Sequence, residues 1–349
     1  MEEVLNVLSL FDGMSCGQIA LERAGFKIDK YFVAEIDKYA MKVTQANYPD
    51  TIQLGDVRNI KADDLPKIDL LIGGSPCQGF SFAGKQLNFD DPRSKLFFEF
   101  VRLLKEAKPK YFLLENVRMK QEYQDVISKL LGVEPIMINS CLVSAQNRKR
   151  FYWTNIPDIK QPKDCGILLK DIIECGDATL KRYKEKSMHQ MVQTNRCIQV
   201  GEADIKGFDC IKRVYSPEGK APTLTTCEGG HREPKVICRV PEATKKGYIE
   251  VKEGECADLT FPKSKTRRGR AMETKSNCLI AATHEMSQLT KYGWRKLTPT
   301  ECERLQTVPD NYTLVPWGNR MMSNSQRYKM LGNGWTVDVI CHILKNMSI

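Results

Sequence analysis

The segment Asp69-Leu70-Leu71-Ile72-Gly73-Gly74-Ser75-Pro76-Cys77-Gln78-Gly79-Phe80-Ser81 is an apolar strand that empties into a Gly- and Pro-rich turn carrying one cysteine. A thiol in that setting is a candidate nucleophile. Parallel α/β sheets place their chemistry at strand ends, Pro76 fixes the backbone just before Cys77, and the flanking glycines admit a substrate closely. Taken alone, the segment reads equally well as a buried cysteine after an ordinary turn. A second turn, Ser9-Leu10-Phe11-Asp12-Gly13-Met14-Ser15-Cys16-Gly17, puts two glycines and small polar residues between the first strand and the first helix. Doubly wound folds seat a nucleotide-like ligand there, although this is not the G-x-G-x-x-G phosphate cradle. Glu35, ending the second strand, can accept from both hydroxyls of a ribose, and Asp56, in Gly55-Asp56-Val57, can receive an adenine amino group. Those residues favour adenosine without a pyrophosphate, and S-adenosylmethionine is the obvious candidate. Each acid alone reads equally as a helix cap or loop residue.

Positioning these groups requires a regular scaffold, and the first half of the chain supplies its pattern. Strands are expected at Val4 to Phe11, Tyr31 to Ile36, Ile52 to Val57, Ile68 to Ile72, Tyr111 to Glu115, Pro135 to Val143 and Arg150 to Thr154. Helices are expected at Gly17 to Ala24, Tyr39 to Asn47, Ser94 to Glu106 and Asp125 to Leu131, with Pro49 and Pro109 as stops. This alternation implies an α/β, doubly wound, mostly parallel sheet covered on both faces. From about residue 176 the texture changes to weak periodicity rich in Gly, Pro, Thr and charge, which reads as a smaller, irregular, β-rich domain. Arg213 to Thr226 and Arg268 to Ala281 read as a degenerate internal repeat. Lys263, Lys265, Arg267, Arg268 and Arg270, with Lys245 and Lys246 upstream, suit phosphate contact or a solvated loop equally. Further on, Thr298 is a good N-cap, with Pro299 at the first helical position and Glu301 three residues after the cap, and Trp335 to Leu344 reads as a final apolar helix.

Composition narrows the class. The 349 residues are 42% hydrophobic and 28% charged, a globular balance with room for one large core or two modest ones. No apolar run approaches the roughly 18 residues that span a bilayer, and no cleavable leader is visible at the N-terminus, so a cytoplasmic protein is expected. Thirteen scattered cysteines without a C-x-x-C pair indicate neither a disulfide framework nor a zinc site; Cys227 and His231 alone are too few for a metal. A formal charge of +10 points to a polyanionic partner.

Taken in order, Phe11-Asp12-Gly13, Gly55-Asp56-Val57, Gly74-Ser75-Pro76-Cys77-Gln78, Glu115-Asn116-Val117, Gln146-Asn147-Arg148-Lys149-Arg150-Phe151-Tyr152, Leu297-Thr298-Pro299-Thr300-Glu301-Cys302 and Gly332-Asn333-Gly334 resemble the motif series of the DNA cytosine-5 methyltransferases. The resemblance covers about the first 155 residues and the last 55, and leaves the middle as the variable target-recognition region. It implies a catalytic and cofactor-binding domain over 1–175, completed by a C-terminal helix at 325–349, and a recognition domain over 176–324. Carbon 5 of cytosine is a poor nucleophile until something adds at carbon 6, and a cysteine thiolate, here Cys77, does this best among side chains. Glu115 is the acid expected beside N3 and the exocyclic amine, raised by burial so that it can donate. Arg150 or Arg148 would hold the O2 oxygen, and the resemblance favours Arg150. No residue stands out as the base that removes the carbon 5 proton, a step open to water.

Such chemistry needs the base swung out of the duplex. The loop Gln78 to Arg93, with Gly79 and Gly84 as flexible points, would close over it. The resemblance further implies a pocket for S-adenosyl-L-methionine, leaving S-adenosyl-L-homocysteine as product. Phe11 would lie against the adenine face, Asp12 and Gly13 in the turn, Ser15 and Gly17 near the methionine end, Glu35 on the ribose, Ile36 beside the adenine, Asp56 and Val57 at its amine, and Pro76 and Asn333 nearby. The last block departs from many relatives, reading Gly334-Trp335-Thr336-Val337 where serine and valine often follow the asparagine. The first motif begins within a dozen residues of Met1, so no regulatory region is expected before it. The whole suggests a compact enzyme of bacterial or phage restriction-modification type, monomeric on double-stranded DNA and associated with the nucleoid of a bacterial or phage-infected cell. A cognate restriction endonuclease is a partner the resemblance allows. A tRNA cytosine-5 methyltransferase and a silent DNA-binding relative are the alternative readings.

Overall fold

The computed structural model describes residues 4–75, 96–174, 181–185, 197–203, 205–226, 232–237, 239–241, 244–245, 248–250, 256–258, 271–272, 286–288 and 293–348. Pro76, Cys77, the 78–93 loop, Cys227 with His231, Lys246, the basic run 263–270 and most of the second repeat segment lie outside the described residues.

The first half alternates as expected: β1 (Val4–Leu10), α1 (Cys16–Ala24), β2 (Lys27–Ala34), α2 (Lys38–Asn47), β3 (Ile52–Gln53), β4 (Leu70–Gly73), α3 (Leu96–Ala107), β5 (Tyr111–Val117), α4 (Gln121–Leu131), β6 (Ile136–Asn139) and β7 (Lys149–Thr154). The sheet order is β3-β2-β1-β4-β5-β7-β6, parallel from β3 to β5, with β7 antiparallel to both β5 and β6. β2 starts before the apolar signal because three of its first four residues, Lys27, Asp29 and Lys30, are charged and exposed. β3 is shorter than expected, since Asp56 instead caps a 3-10 turn at Val57–Asn59.

Alternation along the strands builds two cores. Leu8, Leu71, Phe112 and Trp153 face α3 and α4, whose Phe97, Phe100 and Ile127 join the same cluster. Val7, Ile72, Leu113 and Tyr152 face the opposite side, where α1 packs. Central β4 is buried throughout, the mark of a parallel strand covered on both faces.

The second half continues with α5 (Leu169–Ile172), β8 (Lys181–Glu185), β9 (Gln199–Ala203), α6 (Asp209–Lys212), β10 (Arg213–Tyr215), β11 (Lys235–Ile237), β12 (Arg239–Pro241), β13 (Tyr248–Glu250), β14 (Cys256–Asp258), β15 (Ala271–Met272), β16 (Met286–Gln288), β17 (Gly293–Lys296), α7 (Pro299–Leu305), β18 (Pro316–Trp317), β19 (Arg320–Met321), α8 (Asn324–Asn333) and α9 (Val337–Leu344). β10, β11, β17, β8 and β9 close into a small barrel, so this region is β-rich.

α7 begins with the anticipated capping box: Thr298 Oγ1 accepts from the Glu301 amide at 3.2 Å and Glu301 Oε2 from the Thr298 amide at 2.8 Å. The C-terminal end is two helices rather than one, because Gly334 terminates α8 before α9 starts. The stretch after α7 packs against the first helices: the Tyr312 hydroxyl donates to Met14 O at 2.8 Å, Asn47 Nδ2 to Tyr312 O at 3.1 Å and Arg23 Nη1 to Thr307 O at 2.6 Å. Among the described residues no helix is long and apolar enough to cross a membrane.

The turn joining β1 to α1 is held against its own backbone preference. Phe11, Gly13 and Ser15 all adopt left-handed backbone, with φ of 57°, 61° and 63°; only glycine does so without strain. The Phe11 amide donates to Ala34 O at 2.8 Å. Beneath the turn, Asp12 Oδ1 accepts from Ser9 Oγ at 2.5 Å and the Tyr31 hydroxyl at 3.1 Å, and Oδ2 from Ser15 Oγ at 2.5 Å. Gln18 Nε2 extends the chain, donating to Ser15 Oγ at 3.0 Å and Thr51 Oγ1 at 2.9 Å. Burial pushes the Asp12 carboxyl up from its ordinary 3.8 to about 6, with the Glu35 charge adding and the Ser15 and Ser9 hydroxyls opposing. The folded protein therefore binds this proton more tightly than the unfolded chain, so the stability Asp12 contributes is lost as pH rises from about 4 to about 6. Relative to Asp12→Asn, the wild-type unfolding free energy should fall by up to ~3 kcal/mol across that window and run parallel above it. Urea unfolding at a series of pH values measures this, and parallel profiles throughout would refute it.

Candidate active site

The ends of β4 and β5 lie side by side, with Gly73 in register with Leu114, so Gly74 and Ser75 emerge next to Glu115 and Asn116. Glu115 is 9% exposed. β7 brings its arginine to the same place. Glu115 is opposite Tyr152 and Val117 opposite Arg150, which makes Arg150 the diagonal neighbour of Glu115 on one face of the sheet. Arg150 Nε lies 2.9 Å from Glu115 Oε1, a charge contact in which the N–H is not aligned as a hydrogen bond; Nη1 donates to Lys149 O at 2.9 Å. The carboxylate also borders the backbone that leads to Cys77: a Cβ on Gly74 would sit 3.2 Å from Glu115 Oε2 and 2.9 Å from Trp335 Nε1. The second glycine of the Gly-Gly-Ser-Pro turn thus allows close approach of an acid and an indole.

Two residues at this corner had no role assigned from the sequence. Asn116 donates through Nδ2 to Ser75 Oγ at 3.2 Å and accepts from the Val117 amide at 2.8 Å, so it fastens the exit of β4. The signal for it is a polar side chain adjoining the acid at the end of an otherwise apolar strand. Trp335, 9% exposed, lies against Gly74 and within 3.7 Å of where a Cβ on Gly17 would stand. Gly17 and Gly74 follow β1 and β4, the two central neighbours where the strand order reverses, which is the position of ligand crevices in such sheets.

Arg148 requires a correction. The sequence reading counts it with Arg150 as a candidate for the O2 oxygen, but it is 3% exposed and its guanidinium is committed elsewhere. Nη1 donates to Leu224 O at 3.1 Å, and Nη2 to Gly332 O at 3.2 Å and Gly334 O at 3.0 Å. Burial and the charge of Arg150 push it down to about 9, and the charge of Glu115 opposes that shift.

Around the ends of β1 and β2 the remaining residues divide. Glu35 Oε2 accepts from the Gly13 amide at 2.8 Å, and Oε1 from the Ile36 and Asp37 amides at 2.7 and 2.8 Å. A carboxylate has about four lone-pair sites, so roughly one remains for a sugar hydroxyl, not the two expected. Ile36 is 73% exposed, an aliphatic side chain presented beside that acid. Phe11 is half-buried at the same turn, and Gly17 is packed so closely that a Cβ would lie 2.5 Å from Ile72 Cδ1 and the Tyr31 hydroxyl. Asp12 and Ser15 turn their side chains into the network under the turn, so any ligand contact at these positions falls to the backbone. The Asp56 carboxylate is already engaged by Arg58 Nε at 3.0 Å and Nη2 at 2.5 Å, which holds it below its ordinary range. Val57 is buried behind it, and Asn333 is exposed at the end of α8. The Cys16 thiol, pushed up to about 12 by burial, is no nucleophile.

Comparison with known proteins supplies the family. The chain is 29% identical over 446 residues to the orphan methyltransferase M.SPBetaI of Bacillus phage SPbeta, covering 98% of this chain and 97% of that one. It is 35% identical over 198 residues to the type II methyltransferase M.NgoBV of Neisseria gonorrhoeae, covering 49% and 47%. The solved structure of the Entamoeba histolytica methyltransferase EhMeth has the same fold, with a TM-score of 0.62 at 15% identity over 99% of this chain and 98% of that one. The family model of the C-5 cytosine-specific DNA methylases matches residues 5–348, and the chain belongs to that family.

Proposed function

We propose that this DNA cytosine-5 methyltransferase modifies carbon 5 of cytosine in one short duplex sequence through a covalent Cys77 adduct at carbon 6, with the target base turned out of the helix. The observation that carries the reading is the corner at the ends of β4, β5 and β7, where a buried acid and an arginine meet beside the turn that leads to Cys77. Cys77 stands two residues after Ser75, whose hydroxyl accepts from Asn116. The thiolate adds to carbon 6. Glu115 hydrogen-bonds N3 and the exocyclic amine as charge builds on the ring. Arg150, whose guanidinium donates to a single backbone carbonyl, Lys149 O, among the described residues, stabilises the charge on O2. Once carbon 5 has gained the methyl group, water removes its proton and the thiolate leaves carbon 6, which restores the aromatic ring.

The methyl donor we assign is S-adenosylmethionine, which supplies an electrophilic methyl group when bound. The residues fit an adenosyl group on three observations: a carboxylate held in place by three backbone amides at Glu35, the exposed aliphatic side chain of Ile36 beside it, and the two glycines against Trp335 at the strand-order reversal. Glu35 would take a ribose hydroxyl and Ile36 one face of the adenine. Asp56 would reach the adenine amine only through lone pairs that Arg58 leaves free. Hydrogen bonds that join Thr307 and Tyr312 to Arg23, Asn47 and Met14 support grouping 297–323 with the catalytic unit, and we draw the recognition region as about 176–296. A single recognition region and one catalytic corner suffice to enclose one base, and we infer a monomer on DNA.

Incubation with S-adenosylmethionine and a random-sequence duplex library, followed by sequencing of 5-methylcytosine at base resolution, tests the reading. Methylation confined to one short motif is expected. Labelled methyl groups on tRNA and none on duplex would overturn it. In the same assay Cys77→Ser should abolish transfer, whereas Glu115→Gln and Arg150→Lys should lower it by roughly 10²- to 10³-fold with DNA binding retained. Near wild-type rates for Glu115→Gln would remove the acid from the mechanism.

A further inference from the structure

β10 of the barrel runs directly into a strap, residues 216–226, that is laid on the catalytic unit along the segment before β7. The Ala221 amide donates to Ala145 O at 2.7 Å, the Asn147 amide to Ala221 O at 2.8 Å, and Thr223 Oγ1 to Asn147 O at 2.7 Å. The Leu224 amide donates to Gln146 Oε1 at 3.1 Å. Lys220, fully buried, pins the start of the strap, its ammonium donating to Cys141 O at 2.9 Å, to Ser144 O at 3.1 Å and to Ile167 O. The far end of the strap meets the turn that closes α8: a Cβ on Gly332 would lie 2.3 Å from the Thr225 carbonyl carbon and oxygen, so the two backbones touch. One side chain joins them. Arg148 bonds Leu224 O on the strap and Gly332 O and Gly334 O on the turn, and the next residue, Trp335, lies between Gly17 and Gly74.

We propose that Arg148 is a positioning residue that transmits the placement of the 216–226 strap to the 332–335 turn, and so makes binding of duplex DNA and binding of the methyl donor interdependent. The inference rests on the proposed function, which supplies the two ligands. A planar guanidinium has donors in fixed directions, so it satisfies carbonyls on both segments only when they keep one relative placement. Arg148 is 3% exposed, so a partner lost there leaves a desolvated polar group, and displacement of either segment is resisted by the other. Whatever free energy DNA gains from a strap position that suits the turn is returned as tighter cofactor binding, because such coupling is reciprocal.

The test is the affinity for S-adenosylhomocysteine, by calorimetry, with and without saturating duplex that carries the methylated motif. It uses full-length wild type, Arg148→Gln, Arg148→Lys and Lys220→Met. Wild type should show a coupling of roughly 5- to 150-fold. Arg148→Gln should bring it within about twofold of none while each binary affinity changes by less than about threefold, and Arg148→Lys should fall between, since one ammonium cannot serve both segments. Lys220→Met should unfold at lower temperature yet keep the coupling. Wild-type coupling in Arg148→Gln, or in Arg148→Lys if the glutamine variant fails to fold, would overturn the inference. So would an equal loss of coupling in Lys220→Met, which would mark general loosening. Wild-type protein that methylates duplex without coupling would overturn the inference alone, whereas failure to methylate any duplex would overturn the function on which it rests.

Discussion

The register between β5 and β7 is the constraint on which the rest of the structure turns. A slip of one residue would move Arg150 to the opposite face of the sheet and leave Glu115 buried without a charged partner. The two-core sandwich makes such a slip costly, because Tyr152 and Trp153 would exchange cores. Packing of ordinary large side chains thus fixes the geometry of a polar corner that could not fix itself.

Glycine performs the complementary task at the crevice. Gly17 and Gly74 stand where any side chain would collide with Tyr31, Ile72 or Trp335, and this allows the chain after β1 and the chain after β4 to close on one indole. The β1–α1 turn then carries strain at Phe11 and Ser15 that the Asp12 network holds in place. Stability has been given up locally for a shape, a pattern usual at ligand-binding turns.

Much of this was legible in the sequence, because strand-helix alternation, buried β4 and the Thr298 capping box are written in periodicity and local residue types. The family resemblance implied that Glu115 and Arg150 would each meet the base; the 2.9 Å contact between them was not anticipated. What escaped was whatever depends on partners distant in sequence. Nothing local to Arg148 tells it from Arg150, two residues on: one is clamped by carbonyls of residues 224, 332 and 334, and the other faces an acid. Ser15 and Asp12 look like ligand groups until Tyr31 and Gln18 claim them. Periodicity did not separate α8 from the helix after it because its first six residues, Asn324-Ser325-Gln326-Arg327-Tyr328-Lys329, are polar; its buried face joins Arg327, paired with buried Glu303 at 3.1 Å, to Met330 and Leu331. The weakly periodic middle region gave away its β-rich character but not its barrel, since closure depends on pairing β8 with β17 across more than a hundred residues.

The proposed mechanism requires the turn after β4 to deliver a nucleophilic thiol to the acid and arginine assembled by β5 and β7. Its most direct test is a duplex in which cytosines of the methylated motif carry fluorine at carbon 5, so that the final elimination has no proton to lose. With the methyl donor present, the protein should become covalently joined to the DNA, and mass spectrometry of the digest should place the base on the peptide containing Cys77. No adduct, or one on a different cysteine, would contradict the account.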